Sequence, residues 1–290
     1  MSKLCLGTVQ FGMKYGVNNA LGRQPVKQEC YEIIEKAIRA GITYFDTASA
    51  YGTAESLLGG YLWGGIVPNI ISKLSPQCPN DDKIVLAKIK ESLQHLGMTK
   101  LYGYMLHRGA DMQKEAVMAG LITAKTQGLV EKIGVSIYEP EEAMQAVDDT
   151  RVDIIQVPYN VLDQRLDSTG FFDKAKKNKK EIYARSAFLQ GLLIMKPDEA
   201  EKRVPQSSKW IAKFQSVAQK HGYTPVEAAM LYSLRHDGID YVVFGVETVN
   251  QLMINLAIQK KMPDFSDCYK ELKGMFAYVP REVLVPSLWR

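Results

Sequence analysis

Cysteine is scarce and scattered. The chain has 290 residues and four cysteines, Cys5, Cys30, Cys78 and Cys268, with no CxxC pair. That spacing excludes a disulfide framework and a cysteine-rich zinc site, and it suits a reducing, cytoplasmic compartment. Histidine is equally sparse: His95, His107, His221 and His236 show no HExxH or comparable ligand spacing, so no metal site is expected. Charge of one sign is missing too. Lysine and arginine number 36 against 32 acidic residues, a net +4 that is too balanced to imply nucleic-acid binding. The lysine-rich run from Asp173 to Glu181 reads as a solvated helix face. No stretch of about 18 apolar residues is present to span a membrane, and no signal peptide precedes the first apolar run. No Pro/Gly/Ser-rich linker divides the chain, so one domain over residues 1–290 is expected. GxGxxG follows none of the strand-like runs, which argues against a Rossmann dinucleotide site.

What the chain does have is alternation. Short apolar runs alternate with longer amphipathic ones. Eight read as strands: Leu4–Thr8, Thr43–Thr47, Pro68–Lys73, Leu101–His107, Lys132–Ser136, Ile154–Tyr159, Glu181–Ser186 and Tyr241–Gly245. Helical patterns lie between them. One places Cys30, Ile33, Ile34, Ala37 and Ile38 on one face and stops at Gly41; another aligns Val85, Ile89, Leu93 and Leu96 and stops at Gly97. Two helices are expected before the last strand. The second starts with Thr224 as cap, Pro225 in the first turn and Glu227 three residues after the cap. Strand–helix units in series mean parallel strands joined by helical crossovers. An open doubly wound sheet and a closed barrel both fit. The count of eight and a length near the roughly 250 residues usual for the closed form favour a single-domain (β/α)8 TIM barrel.

In such a barrel the active site lies at the carboxyl ends of the strands. The second strand ends at Asp46, with Tyr51 in the loop behind it; the third ends at Lys73 and the fourth at His107. Each alone reads more readily as a cap, a turn residue or a core histidine. Together, four reactive side-chain types at adjacent strand ends point to a catalytic mouth. A tyrosine has a pKa near about 10 and is a reluctant proton donor at neutral pH. A nearby ammonium lowers that value, and a carboxylate keeps the ammonium charged and in place. Asp46, Lys73 and Tyr51 therefore read as a tuned general acid, and a neutral His107 could orient a carbonyl oxygen. Protonating an oxygen while its carbon is attacked is carbonyl reduction, and the hydride must come from a cofactor, since no side chain supplies one.

The segment "FDTASAYG" (Phe45–Gly52), the pair Ser72–Lys73 and the pair Leu106–His107 resemble the signature of the aldo-keto reductase superfamily. The resemblance runs from "LGTVQFG" at Leu6–Gly12 to "VNQLMINL" at Val249–Leu256. It implies a (β/α)8 barrel that uses a nicotinamide cofactor, usually NADPH with NADH as the alternative, and reduces a small-molecule carbonyl. It implies Tyr51 as acid/base, Lys73 and Asp46 as its tuning pair, and His107 as the substrate orienter. Ser136 and Gln156 match positions that grip the nicotinamide carboxamide. Arg185 stands where relatives often stack an aromatic ring on the nicotinamide. A guanidinium there would repel the oxidised, cationic ring. Leu189, Gln190 and Gly191 match the pyrophosphate turn, and Gly245, Gln251 and Asn255 the adenosine-phosphate segment. Many NADPH-specific relatives place Lys and Arg in that last segment; this chain has none there.

Phe11, Tyr15, Tyr159 and the tail from Tyr278 to Arg290, with Trp289, are candidates to line the substrate side, against ordinary packing as the alternative. The run "VQFGMKYGVNN" is similar to a bacterial subgroup associated with surface-polysaccharide sugars, which implies a sugar or nucleotide-sugar carbonyl. Two other readings compete: a cofactor-binding regulatory barrel with little turnover, and a Schiff-base aldolase using Lys73.

Overall fold

Strand alternation and barrel closure account for the architecture. The computed structural model describes residues 3–19 and 21–289. Ala20, in the glycine-rich stretch after the first strand, and Arg290, in the tail, lie outside the described residues. Eight strands, β1 (Leu4–Gly7), β2 (Tyr44–Asp46), β3 (Asn69–Leu74), β4 (Leu101–Leu106), β5 (Val130–Ser136), β6 (Ile154–Pro158), β7 (Glu181–Arg185) and β8 (Tyr241–Gly245), close into one barrel in chain order. Neighbouring strands are parallel throughout, and β1 closes the ring on β8 with Leu4 opposite Val242 and Gly7 opposite Gly245. This is the single-domain (β/α)8 fold read from the sequence.

Successive residues of a strand face opposite sides. Cys5, Ile71, Met105, Ile154 and Tyr183 form one buried cluster inside the barrel. Two residues onward from Ile71, Met105 and Ile154 stand Lys73, His107 and Gln156. The period of two thus puts these polar groups on the inner face, one layer above the apolar plug. Outward-facing strand residues such as Leu6, Phe45, Ile70 and Tyr104 belong to the larger core shared with the helices.

The helices are α1 (Val9–Gly12), α2 (Lys27–Arg39), α3 (Ala54–Gly59), α4 (Asp82–Leu96), α5 (Glu115–Thr126), α6 (Pro140–Asp148) and α7 (Phe171–Lys177). Between β7 and β8 lie α8 (Pro197–Arg203), α9 (Ser208–Lys220) and α10 (Pro225–Arg235). α8 is additional to the two helices expected there. After β8 come α11 (Val249–Ile258), α12 (Ser266–Leu272) and α13 (Arg281–Leu284). The end signals act as read. Asp81 accepts from the amides of Lys83 and Ile84 at the start of α4, and Gly97 closes it at φ 62°. Thr224 and Glu227 form a reciprocal capping box on α10.

No helix among the described residues is long and apolar enough to cross a membrane. All four cysteines are free thiols. Phe11 and Tyr159, candidates for the substrate side, are core residues instead. Phe11 is fully buried, and Tyr159 stacks on Tyr232 and meets Phe172 and His236 edge-on. Both side chains are apolar enough that helix–barrel packing claims them. Trp289 packs against the core as well, while its neighbours Pro286 and Ser287 reach the cavity described below.

Candidate active site

The loop after β2 is shaped by two glycines. Gly52 sits at φ 54°, and a Cβ on it would lie 2.3 Å from the Gly12 carbonyl oxygen. A Cβ on Gly12 would lie 1.6 Å from the Tyr51 carbonyl oxygen. Only two side-chain-free residues allow α1 to press on this loop, and that contact sets the Tyr51 backbone at the barrel rim.

Below the phenol lies a buried ion pair. Lys73 Nζ donates to Asp46 Oδ1 at 2.6 Å and to the Thr47 carbonyl at 3.0 Å, with its side chain 1% exposed. Gln156 Nε2 donates to the other Asp46 oxygen at 2.7 Å. Both carboxylate oxygens are thus satisfied, which is what a buried charge requires. The ammonium lies 5.2 Å from the Tyr51 ring centre. The His107 ring meets Tyr51 edge-on at 5.8 Å between centroids.

The electrostatics differ from the expected tuning. Burial pushes the Tyr51 phenol well above its ordinary pKa, the Asp46 charge pushes it further, and Arg185 opposes both. Burial is the largest cause, so the net shift is upward, opposite to the lowering expected from a nearby ammonium. His107 goes the other way. Burial first, then the positive charges of Lys73, Arg185 and Arg108, bring its pKa down to about 3. The imidazole is therefore neutral throughout the physiological range.

These groups face one end of a cavity of about 490 Å³, within the usual size of a ligand pocket. Asp46, Tyr51, His107, Ser136 and Gln156 line that end. Lys73 lies behind them, buried under Asp46. Arg185 also lines the cavity, but its guanidinium lies on the Tyr138 ring at 4.1 Å and donates to the Ile137 carbonyl at 2.9 Å and to Ser186 Oγ at 3.2 Å. No carboxylate among the described residues pairs with it.

The turn after β7 forms a second wall. Ser186, Leu189 and Gln190 adopt φ values of 67°, 47° and 54°, which side-chain-bearing residues seldom do, and Gly191 follows at 92°. Such strain gathers where a loop is held for function. Gln190 donates from Nε2 to the Tyr15 hydroxyl at 3.0 Å, and its carbonyl accepts from the Val17 amide at 3.1 Å, so the β1 and β7 loops clasp each other across the mouth. Tyr15, Gln190 and Gly191 line the cavity. Leu189 does not: its side chain is buried in the core, so only its backbone is left to serve the pyrophosphate turn, the part for which it was a candidate.

Gly245, Gln251 and Asn255 line the far end, where β8 meets α11. A Cβ on Gly245 would strike the Gln10 amide at 2.3 Å. Gln10, Tyr138 and Glu247 line the cavity too, and sequence reading missed all three. Gln10 and Tyr138 carry no spacing signal. Glu247 had one: it sits in the same segment as Gly245 and Gln251. Gln10 Oε1 and His107 Nδ1 are buried without a hydrogen-bond partner among the described residues. Two such atoms on residues lining one cavity fit a polar ligand. The donor set suits a dinucleotide: amide and hydroxyl groups at Ser136 and Gln156, a strained turn, and a helix start.

Comparison with known proteins follows the same lines. Residues 3–268 match the model of the aldo/keto reductase family. The chain is 24% identical over 310 residues to the L-glyceraldehyde 3-phosphate reductase of Escherichia coli K12, covering 88% of this chain and 84% of that protein. It is 24% identical over 286 residues to a D-threo-aldose 1-dehydrogenase of Pseudomonas, with 83% and 87% covered. Among solved structures, the holo form of an aldo-keto reductase from Bacillus halodurans superposes with a TM-score of 0.73 at 18% identity, covering 98% of this chain and 95% of that one.

Proposed function

The chain belongs to the aldo/keto reductase family, and from that premise we propose that it reduces the carbonyl of a small sugar or nucleotide sugar at the expense of a reduced nicotinamide cofactor. One observation carries the reading. The Tyr51 phenol and the neutral His107 imidazole share the same end of one cavity, with the Lys73–Asp46 pair buried beneath them. The cofactor, when bound, supplies the hydride. Ser136 and Gln156 are the residues to hold its nicotinamide carboxamide, Gln190 and Gly191 its pyrophosphate, and the β8–α11 segment its adenosine half.

The chain's own groups then manage the oxygen. A phenol whose pKa is raised stays protonated across the neutral range, the state a proton donor needs. Neutral His107 donates a ring N–H to the carbonyl oxygen and holds it toward the Tyr51 hydroxyl. As negative charge develops on that oxygen, the proton moves from Tyr51, and the Lys73 ammonium stabilises the phenolate left behind. The sugar assignment draws on the relatives, whose names speak of a sugar phosphate and an aldose.

The Schiff-base alternative fares worse. A lysine that attacks a carbonyl needs a free amine within reach of substrate, and Lys73 Nζ is buried and bound to Asp46 and Thr47. Four free thiols accord with a reducing, cytoplasmic setting for the enzyme. The test begins with fluorescence titration of NADH and NADPH, followed by a carbonyl panel rich in aldoses, ketoses and nucleotide sugars. Binding with turnover of at least one carbonyl is expected. Tight cofactor binding with no turnover would favour the regulatory barrel, and no binding of either dinucleotide would end both readings.

A further inference from the structure

Among the described residues, Arg185 is the one lysine or arginine that lines the cavity. Its head is held in place. The guanidinium lies on the Tyr138 ring at 4.1 Å, and its terminal nitrogens donate to the Ile137 carbonyl at 2.9 Å and to Ser186 Oγ at 3.2 Å. Ile137 and Tyr138 directly follow Ser136, which lines the Tyr51 end. The charge therefore stands beside the reacting groups. An arginine carries five N–H donors in a rigid fork. Five donors less the two bonds made here leave three for a ligand.

The other charges at this end cancel. Asp46 is closed by Lys73 on one oxygen and by Gln156 on the other. His107 is neutral, and Arg185 helps to keep it so. The same cation opposes the rise of the Tyr51 pKa. Its field thus reaches across the space that a substrate would fill. A carboxylate or a phosphate presents paired oxygens that match a guanidinium edge. In the reading above the cofactor's pyrophosphate goes to the turn at Gln190 and Gly191, which leaves the carbonyl compound to carry the anion.

Resting on the carbonyl-reductase reading above, we infer that Arg185, braced on Tyr138, binds an anionic group of the substrate, so that this chain reduces carbonyl compounds bearing a carboxylate or phosphate in preference to their neutral counterparts. The anion sits away from the reacting carbon and is held alike before and during the reaction. The preference therefore belongs in KM rather than kcat. It also weakens as salt rises, since it rests on charge.

Steady-state kinetics of the full-length protein, saturated with whichever of NADH and NADPH binds, test this on matched pairs. These are glyceraldehyde 3-phosphate against glyceraldehyde, glucuronate against glucose, and succinic semialdehyde against butanal. In at least one pair the charged member should show a kcat/KM at least about tenfold higher, through a lower KM. The phosphate and carboxylate pairs tell the two anions apart. Arg185→Met should bring the ratio near one, and Arg185→Lys should keep part of it. Thermal melts check folding; should the methionine variant fail to fold, the lysine variant and the salt dependence of the wild-type ratio decide. Calorimetric titration of the cofactor-loaded protein reads the same contact without turnover, with glycerol 3-phosphate against glycerol and 4-hydroxybutyrate against butanol. A charged probe should bind more tightly than its neutral partner, and Arg185→Met should erase the difference. Equal kcat/KM within every pair overturns the inference and leaves the reductase reading intact, as does an unchanged ratio in a folded Arg185→Met variant. Displacement of the cofactor by glycerol 3-phosphate gives the guanidinium to the cofactor's phosphates and overturns it too. Should no carbonyl turn over, the reductase reading fails, and the calorimetric pairs alone uphold or overturn Arg185 as the anion receptor.

Discussion

At the scale of single residues, the site is a set of charges whose partners decide their behaviour. Tyr51→Phe removes one oxygen and leaves the ring in place. It should lower kcat by about 10²–10⁴-fold while cofactor affinity, read by fluorescence quenching, changes little; wild-type turnover in this variant would remove Tyr51 as donor. Lys73→Met should also abolish turnover, but for a second reason. It leaves the Asp46 carboxylate buried without its cation, so the variant should lose about 3–5 kcal/mol of stability in urea titration. Adding Asp46→Asn should restore much of that stability and none of the activity, a separation that a purely structural pair would not show. His107 sets a pH dependence of stability. Its folded pKa of about 3 lies below its ordinary value of 6.5, so the unfolded chain binds the extra proton first. The contribution is complete above pH 6.5 and is lost as pH falls toward 3. Wild type should therefore lose more stability than His107→Gln over that window, measured as the difference between their denaturation midpoints. The four candidates were legible because these side-chain types stand at or just beyond strand ends. The rise of the Tyr51 pKa was not legible, since it depends first on how completely the phenol is buried and only then on the Asp46 charge beside it.

At the scale of elements, the rim is positioned by backbone contacts that tolerate no added atom. Gly12→Ala puts a methyl onto the Tyr51 carbonyl. Overpacking of this kind costs typically about 1–3 kcal/mol. Here it should also shift Tyr51, so kcat should fall more than cofactor affinity when the two are measured on the same preparation. The "AYG" of the β2 loop reads as a turn in one dimension. Its second half, Gly12, lies some forty residues earlier, and only the meeting of α1 with this loop explains why both must be glycine. The tail is a similar case. Glu139, before α6, pairs with Arg165 at 2.9 Å and accepts from Arg281 Nε at 2.8 Å, which moors α13 beside the β5 loop. Val283, Leu284 and Val285 are buried behind that anchor, and Pro286 and Ser287 follow into the cavity wall. Helix caps were readable because they are local: Asp81, Thr224 and Gly97 act within four residues of themselves. The clasp between Gln190 and Tyr15 joins residues 175 apart and has no local signature.

At the scale of the whole molecule, closure is the condition for everything else. β1 is hydrogen-bonded to both β2 and β8, and its loss would open two sheet edges at once. Removal of residues 1–8 should therefore yield no cooperative thermal transition and no cofactor binding, whereas Thr248→Ala, which removes only a cap at α11, should cost about 1 kcal/mol and leave the barrel intact. The closed ring also explains why the polar layer forms. Asp46, Lys73 and Gln156 come from three different strands and His107 directly follows a fourth, and each faces inward only because its strand is held in register with the next.

The residues alone determined the alternation of strands and helices, the number of strands, most of their ends, and the reactive side chains at the rim. These follow from periodicity and local hydrogen bonding, which a linear chain records directly. Tertiary structure decided which candidates share a cavity. It turned Phe11 and Tyr159 into the core, laid Arg185 on Tyr138, and brought Glu247 and Gln10 to the wall. Those outcomes depend on contacts between segments far apart in the chain, and on how much water each group loses when the barrel closes; neither quantity is written in any short stretch of sequence.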